Sequence, residues 1–64
     1  MKIEFSTNNA AFYDEYEDHL TNKEIKNAEI TRILQKIIKD INLDGKERGP
    51  IMDINGNKIG EWSL

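Results

Sequence analysis

The strongest hydrophobic pattern in the chain lies between Ala28 and Asn42. Branched apolar residues recur there at the i, i+3, i+4, i+7 spacing that places them along one side of an α-helix. They are Ile30, Ile33, Leu34, Ile37, Ile38 and Ile41. No other segment is patterned as strongly, so we predict one amphipathic helix against which the shorter apolar segments pack.

Two residues compete as the N-cap of this helix. The Thr-Asn-Lys-Glu segment that begins at Thr21 matches a capping box. A packed helix from Thr21 would place Lys23 and Lys26 on its buried side, so Asn27 is the better-supported cap. We expect Gly45 to end the helix, because glycine adopts the left-handed conformation without the steric cost of a Cβ.

The N-terminal part of the chain predicts a strand followed by a segment with two possible structures. Apolar and polar residues alternate from Met1 to Thr7, which is typical of a half-buried strand. The segment from Ala10 to Leu20 has aromatic residues spaced four apart but is rich in carboxylates. It predicts either a short helix or an acidic surface loop.

The C-terminal segment predicts a β-hairpin. Asp53, Asn55 and Gly56 occupy the positions preferred in a type I turn followed by a left-handed glycine, which gives a three-residue loop. A two-residue loop formed by Asn55 and Gly56 is the alternative. The three-residue loop leaves Ile54 exposed at the tip of the hairpin.

The position of the single tryptophan constrains the hairpin further. In the three-residue register Ile51 lies opposite Ile59, and both face the helix. Trp62 would then point away from the helix, and an exposed tryptophan forfeits a large apolar burial. We therefore predict a β-bulge near Gly60 that returns Trp62 to the core.

Together these elements predict a single α+β domain over residues 1–64 in β-(α)-α-β-β order. The expected architecture is a three-stranded antiparallel or mixed sheet with one amphipathic helix packed on one face. The hairpin makes the last two strands neighbours, and the first strand joins the sheet at either edge.

Composition limits how such a small domain is stabilised. A domain of about this size buries roughly 60% of the surface of its unfolded chain. The chain has no cysteine and one histidine, so we expect neither disulfides nor a structural zinc site. We therefore expect oligomerisation or unusually good packing to stabilise the domain.

No apolar run approaches the roughly 18 residues of a membrane span, and the start lacks a signal-peptide or lipidation pattern. We therefore expect a soluble, cytoplasmic protein.

Negative charge is concentrated in one segment that also holds both tyrosines. The formal net charge is −3, and nothing resembles the basic face of a nucleic-acid-binding protein. Carboxylates beside tyrosines are suited to a basic site on another protein. The alternative is that the aromatic residues close the core while the acids keep the surface soluble. The candidate partner-binding residues are Tyr13, Asp14, Glu15, Tyr16, Glu17 and Asp18.

A basic stripe on the polar face of the helix is a second candidate surface. Arg32, Lys36 and Lys39 follow i, i+4, i+7 spacing and are candidate ligands of small anions. The alternative is an ordinary charged helix face, since Glu29 and Asp40 flank the stripe.

The sequence offers little catalytic chemistry. No nucleophile accompanies a recognisable base motif, and His19 lies among acids that more simply form a solvated surface than a metal site. The segment after Asp53 superficially resembles a calcium loop, but its glycine and glutamate positions do not match, so the turn is the better interpretation. We predict no catalytic residue, no metal and no cofactor.

Three groups of residues together match one known pattern. They are Asn9 to Phe12, then Glu29, Ile30, Arg32, Ile33 and Leu34, and then Gly49, Pro50, Asp53, Asn55 to Asn57, Ile59, Gly60 and Trp62. In these residues the chain resembles a group of small, mostly uncharacterised proteins of phage and prophage type. About two-thirds of the chain is covered, but the segment from Tyr13 to Lys26 is longer and more acidic than in that group, and Ile59 replaces a valine. The resemblance implies origin and fold rather than activity.

Two functional hypotheses follow. The first is a non-enzymatic phage-type accessory protein that binds a host macromolecule, expected to be a protein, in stoichiometric amounts as an inhibitor or anti-defence factor. The second is a self-assembling homo-oligomer that is structural or sequesters small anions.

Overall fold

The computed structural model describes residues 1–12 and 22–64. Three antiparallel strands form one sheet in the order β1-β3-β2, with β3 in the centre. This confirms the predicted α+β class and places the first strand beside the last. The elements are β1 (Lys2–Phe5), a 3₁₀ turn (Ala10–Phe12), α1 (Asn22–Asn42), β2 (Arg48–Met52) and β3 (Lys58–Ser63).

The helix begins earlier than Asn27, so the prediction of Asn27 as the N-cap is wrong. Asn27 lies inside α1, where its carbonyl accepts a hydrogen bond of 2.8 Å from the Thr31 hydroxyl. The first turns of α1 do not bury both lysines, since Lys23 is exposed and Lys26 is only partly buried. Thr21, the other candidate cap, lies outside the described residues.

Gly45 ends the helix as predicted. Its φ is +64°, a conformation that costs a residue with a Cβ more than it costs glycine. The turn brings the Lys46 amide back to the Asp40 carbonyl at 3.0 Å, which satisfies one of the last free carbonyls of α1.

The 3₁₀ turn, α1, β2 and β3 each contribute one or two buried residues to the core. Its buried members are Phe12, Ile33, Ile37, Ile51 and Trp62. The apolar stripe of α1 is wider than this core, because Leu34 remains 39% exposed and Ile38 61% exposed. One flank of the helix therefore presents branched apolar side chains at the surface.

The hairpin has the predicted three-residue loop. The Gly56 amide donates to the Asp53 carbonyl at 3.0 Å, and Gly56 has a φ of +85°. The Asp53 amide in turn donates to the Asn57 carbonyl at 2.9 Å and closes the loop. Ile54 is 67% exposed at the tip, as predicted.

The predicted bulge is also present, but it changes the predicted pairing. Ile51 lies opposite Gly60, and Met52 lies opposite Lys58. Ile59 is the extra residue on β3, so the expected Ile51–Ile59 pair is wrong. The bulge turns Ile59 toward the core and leaves Trp62 buried on the same face of the sheet.

We expect the fold to require glycine at position 60, because the backbone of β1 occupies the space that a Cβ would need. A Cβ at Gly60 would lie 2.0 Å from the Glu4 carbonyl oxygen, whereas a Cβ at Gly45 meets nothing within 4 Å. We predict that Gly60→Ala lowers the free energy of unfolding by about 3 kcal/mol or more, since backbone must move. Gly45→Ala should cost only about 1–2 kcal/mol through its positive φ. Urea unfolding compares the two variants, and equal losses would contradict the close approach.

Candidate functional site

The candidate partner-binding residues Tyr13, Asp14, Glu15, Tyr16, Glu17 and Asp18 lie outside the described residues, as does His19. The acidic-surface hypothesis therefore stays a prediction. Its immediate neighbour is described: the 3₁₀ turn ends at Phe12, which is completely buried in the core. Of the segment from Ala10 to Leu20, the structure describes only this turn.

The candidate anion ligands divide between two surfaces. Arg32 and Lys36 line a groove of about 200 Å³ between α1 and β2, whereas Lys39 is exposed and does not line it. A third cation, Lys46, takes its place. The sequence signal for Lys46 was its position directly after Gly45, where the end of α1 turns the chain back toward the helix. The groove also has an apolar floor formed by Ile33, Ile37 and Ile51.

The cations of this groove are already paired with carboxylates. Lys36 forms an ion pair with Asp40, whose side chain is buried, and the Lys46 ammonium lies 3.8 Å from the same carboxylate. Arg32 pairs with Glu29, the other acid that flanks the predicted stripe. An anion entering the groove would therefore compete with two internal acids.

Asp53 is the most heavily hydrogen-bonded side chain among the described residues. Its Oδ1 accepts the amides of Asn55 and Asn57, both at 2.9 Å. Its Oδ2 accepts the side-chain amides of Asn57 at 3.2 Å and Asn9 at 2.7 Å. The amide of Asn57, more than any other donor, holds the pKa of Asp53 below its ordinary value, because these bonds favour the charged carboxylate.

Glu29 joins the same turn to the helix. Its carboxylate is buried and accepts the amide of Ile54 at 2.9 Å, although the Ile54 side chain itself is exposed. Arg32 donates to both oxygens of Glu29 and to the Met52 carbonyl at 2.9 Å. The hydrogen bond with Glu29 is the main reason that the pKa of Arg32 is raised. We call Asn9, Glu29, Arg32, Asp53 and Asn57 the polar clamp.

The polar clamp ties three parts of the chain together. Asn9 reaches Asp53 with its side-chain amide and accepts the Ala11 amide at 3.1 Å with its side-chain oxygen. The N-terminal segment, the helix and the hairpin tip thus meet at two buried carboxylates. Sequence reasoning singled out Asp53 and Glu29 separately, as a turn residue and a helix-face residue, but nothing in their spacing indicated that they share one cluster.

The carboxylates of the polar clamp are already engaged by donors of the same chain. Both oxygens of Asp53 and of Glu29 accept hydrogen bonds from the protein. Within residues 1–12 and 22–64, no three side chains of the His, Cys, Asp and Glu types come together as metal ligands. The Asp53 loop therefore has the geometry of a hydrogen-bonded turn, in agreement with the turn interpretation of this segment.

The opposite face of the sheet carries a broad, open concavity of about 600 Å³. Charged side chains from all three strands border it, including Lys2, Glu4, Arg48, Lys58 and Glu61. On the helix side of the sheet, Trp62 packs closely over Gly49, where an added Cβ would lie 3.1 Å from the indole nitrogen. That buried nitrogen has no hydrogen-bond acceptor among the described residues.

Removing Arg32 tests whether the polar clamp stabilises the fold. Arg32→Ala would leave the buried Glu29 carboxylate with the Ile54 amide as its remaining donor among the described residues. We expect a loss of about 1–3 kcal/mol in the free energy of unfolding. Lys39→Ala, on the exposed face of the same helix, should change it by about 0.5 kcal/mol or less. Chemical denaturation measures both, and similar small effects would contradict a structural role for Arg32.

Asp53 should make stability depend on acid pH. Its folded pKa lies below its unfolded pKa, so its contribution is fully present above the unfolded value of about 4 and is lost as pH falls through the folded pKa. We predict that Asp53→Asn lowers stability at neutral pH and flattens the decline of stability below about pH 4. Asp44→Asn, at an exposed acid, should retain the decline. Thermal unfolding followed by circular dichroism across this pH range checks both variants. If the stability of Asp53→Asn declined below about pH 4 as steeply as that of the wild type, Asp53 would not be the source of the decline.

Among the described residues, no helix is long and apolar enough to cross a membrane. No protein-family model, curated protein or solved structure matches the chain. The resemblance to small phage proteins therefore stays a prediction based on the motifs, and functional arguments depend on the residues themselves.

Proposed function

We propose that this protein is a non-enzymatic, phage-type binding protein that acts stoichiometrically on a host protein as an inhibitor or anti-defence factor. The observation that carries the proposal is that the buried acids form their hydrogen bonds and ion pairs within the chain. Glu29, Asp40 and Asp53 are the buried acids of the described residues, and each one is bonded to a cation or to amides of the same chain. They support a rigid scaffold for binding rather than a site poised for proton transfer.

The acidic segment is the favoured contact surface. Four carboxylates at Asp14, Glu15, Glu17 and Asp18 would accelerate encounter with a basic surface, and Tyr13 and Tyr16 would supply most of the contact energy. Phe12 supports this arrangement, because its burial attaches the start of the segment to the core beside α1.

The groove between α1 and β2 is a weaker candidate for function. A small anion would have to displace Glu29 from Arg32, or Asp40 from Lys36, and each displacement would weaken the pairing of a buried carboxylate. This cost favours a macromolecular partner over sequestration of a small anion by one copy of the chain.

The proposal predicts that binding depends on where the negative charge lies. Asp14→Lys with Glu17→Lys should reduce capture of the host protein at least about tenfold, through lost attraction and added repulsion. Asp44→Lys with Glu47→Lys changes the net charge equally, at exposed positions outside the acidic segment, and should bind like the wild type. The measurement is affinity capture from host lysate, followed by the molar ratio of the recovered complex by light scattering.

We expect a near-equimolar complex with the control variant, Asp44→Lys with Glu47→Lys. The variant Asp14→Lys with Glu17→Lys should lose this complex. Equal capture by both pairs would contradict the acidic surface. Multiple turnover of a substrate, abolished by His19→Ala, would contradict the non-enzymatic proposal.

A further inference from the structure

The two edges of the sheet differ in the backbone groups that they leave free. The Ser6 amide donates to the Ile59 carbonyl at 3.0 Å, and the Leu64 amide donates to the Glu47 carbonyl at 2.9 Å. In an antiparallel ladder, bonded and non-bonded pairs alternate. The backbone groups of Ile3 therefore point away from β3, toward the free edge of β1. By the same alternation, those of Arg48, Pro50 and Met52 point toward the free edge of β2.

The edge at β2 is interrupted as a pairing surface from Pro50 onward. Pro50 has no amide hydrogen to offer there, and the Met52 carbonyl is occupied by Arg32 at 2.9 Å. The edge at β1 differs. Among the described residues, β1 pairs only with β3 and has no proline. It presents the amide and carbonyl of Ile3 in an extended strand.

The sequence of β1 is complementary to itself when two copies run antiparallel. If Ile3 lies opposite Ile3 of a second copy, Lys2 lies opposite Glu4 in both directions, and Met1 lies opposite Phe5. Shifting the register by two residues one way places Lys2 opposite Lys2, and shifting it the other way places Glu4 opposite Glu4. Only the register centred on Ile3 pairs opposite charges. It also puts Ile3 at a hydrogen-bonded position, as the free edge requires.

Apolar side chains border the same edge on the helix side of the sheet. Ile3 shares a face with its partner Trp62 but remains 36% exposed. Arg32 and Lys36 lie on the flank of α1 that faces β2, whereas the exposed Leu34 and Ile38 lie on the opposite flank, away from β2. A second copy at this edge would cover apolar surface that the single chain leaves in water.

We propose that the chain forms a two-fold symmetric dimer by antiparallel pairing of β1 with β1 of a second copy, centred on Ile3. The result is a continuous six-stranded sheet with Lys2 and Glu4 forming two reciprocal ion pairs on its outer face. The interrupted β2 edges end the sheet on both sides, so assembly closes at two chains. This dimer does not depend on the proposed host partner. A seam of about five residue pairs is small, so we expect a dissociation constant in the micromolar range.

Sedimentation equilibrium of the full chain tests the dimer by charge exchange. The wild type should approach twice the 7.4 kDa mass of one chain. Lys2→Glu and Glu4→Lys should each raise the dissociation constant about tenfold, because each converts two attractive cross-strand pairs into repulsive ones. Each also breaks the exposed ion pair between Lys2 and Glu4 of the same chain, at 3.2 Å, which contributes little to stability. The double variant, Lys2→Glu with Glu4→Lys, restores both pairs and should return the constant to near its wild-type value.

Lys58→Glu is the matched control for Lys2→Glu, since it makes the same change of charge on the outer face of the central strand. It should dimerise like the wild type. A wild-type chain that stays monomeric up to about 1 mM would overturn the proposal. So would a dimer that is indifferent to the single changes, a double variant that stays dissociated, open-ended assembly, or a different protein bound at this edge in place of the second copy.

Discussion

Two buried carboxylates, Glu29 and Asp53, hold this small domain together where its apolar core cannot. Among residues 1–12 and 22–64, the core has five buried hydrophobic residues, and none of them lies in the hairpin loop. Glu29 instead holds the loop to α1 through the Ile54 amide, while Asp53 organises the loop and bonds to Asn9. Burial makes these bonds costly to break, because an unpaired carboxylate would remain in a poorly hydrated site. The polar clamp thus substitutes for the disulfides or metal that chains of this size commonly need.

The same cluster determines which edge of the sheet is available. Arg32 is oriented by Glu29, and in that orientation it also occupies the Met52 carbonyl at the free edge of β2. Pro50 removes a donor from that edge, so β2 is a poor template for another strand. β1 has no equivalent protection among the described residues. Arg32 therefore has two roles: it stabilises the attachment of the hairpin to α1, and it blocks one acceptor at the β2 edge, which leaves β1 as the edge for the proposed dimer.

Much of the fold follows from local sequence patterns. The amphipathic helix α1, the three-residue loop and the bulge near Gly60 each follow from short-range rules and are confirmed, although Leu34 and Ile38 of the apolar stripe stay exposed. The N-cap prediction failed because it assumed that every helical turn must bury its stripe, whereas the first turns of α1 extend past the core. The cluster around Asp53 was beyond prediction for another reason. Its members are far apart in sequence, and only the tertiary fold, which brings the hairpin tip onto α1, makes Glu29 an acceptor for Ile54.

The proposed functions use this scaffold in different ways, the acidic segment for a host protein and β1 for a second copy. Both presuppose that the polar clamp keeps the hairpin on the helix. Native-state hydrogen exchange of the Ile54 amide tests that claim most directly, because its side chain is exposed and its only described acceptor is Glu29. The account predicts protection approaching that of the core amides of α1, lost in Glu29→Ala. Exchange of the Ile54 amide at the rate of an unstructured chain in the wild type would contradict it.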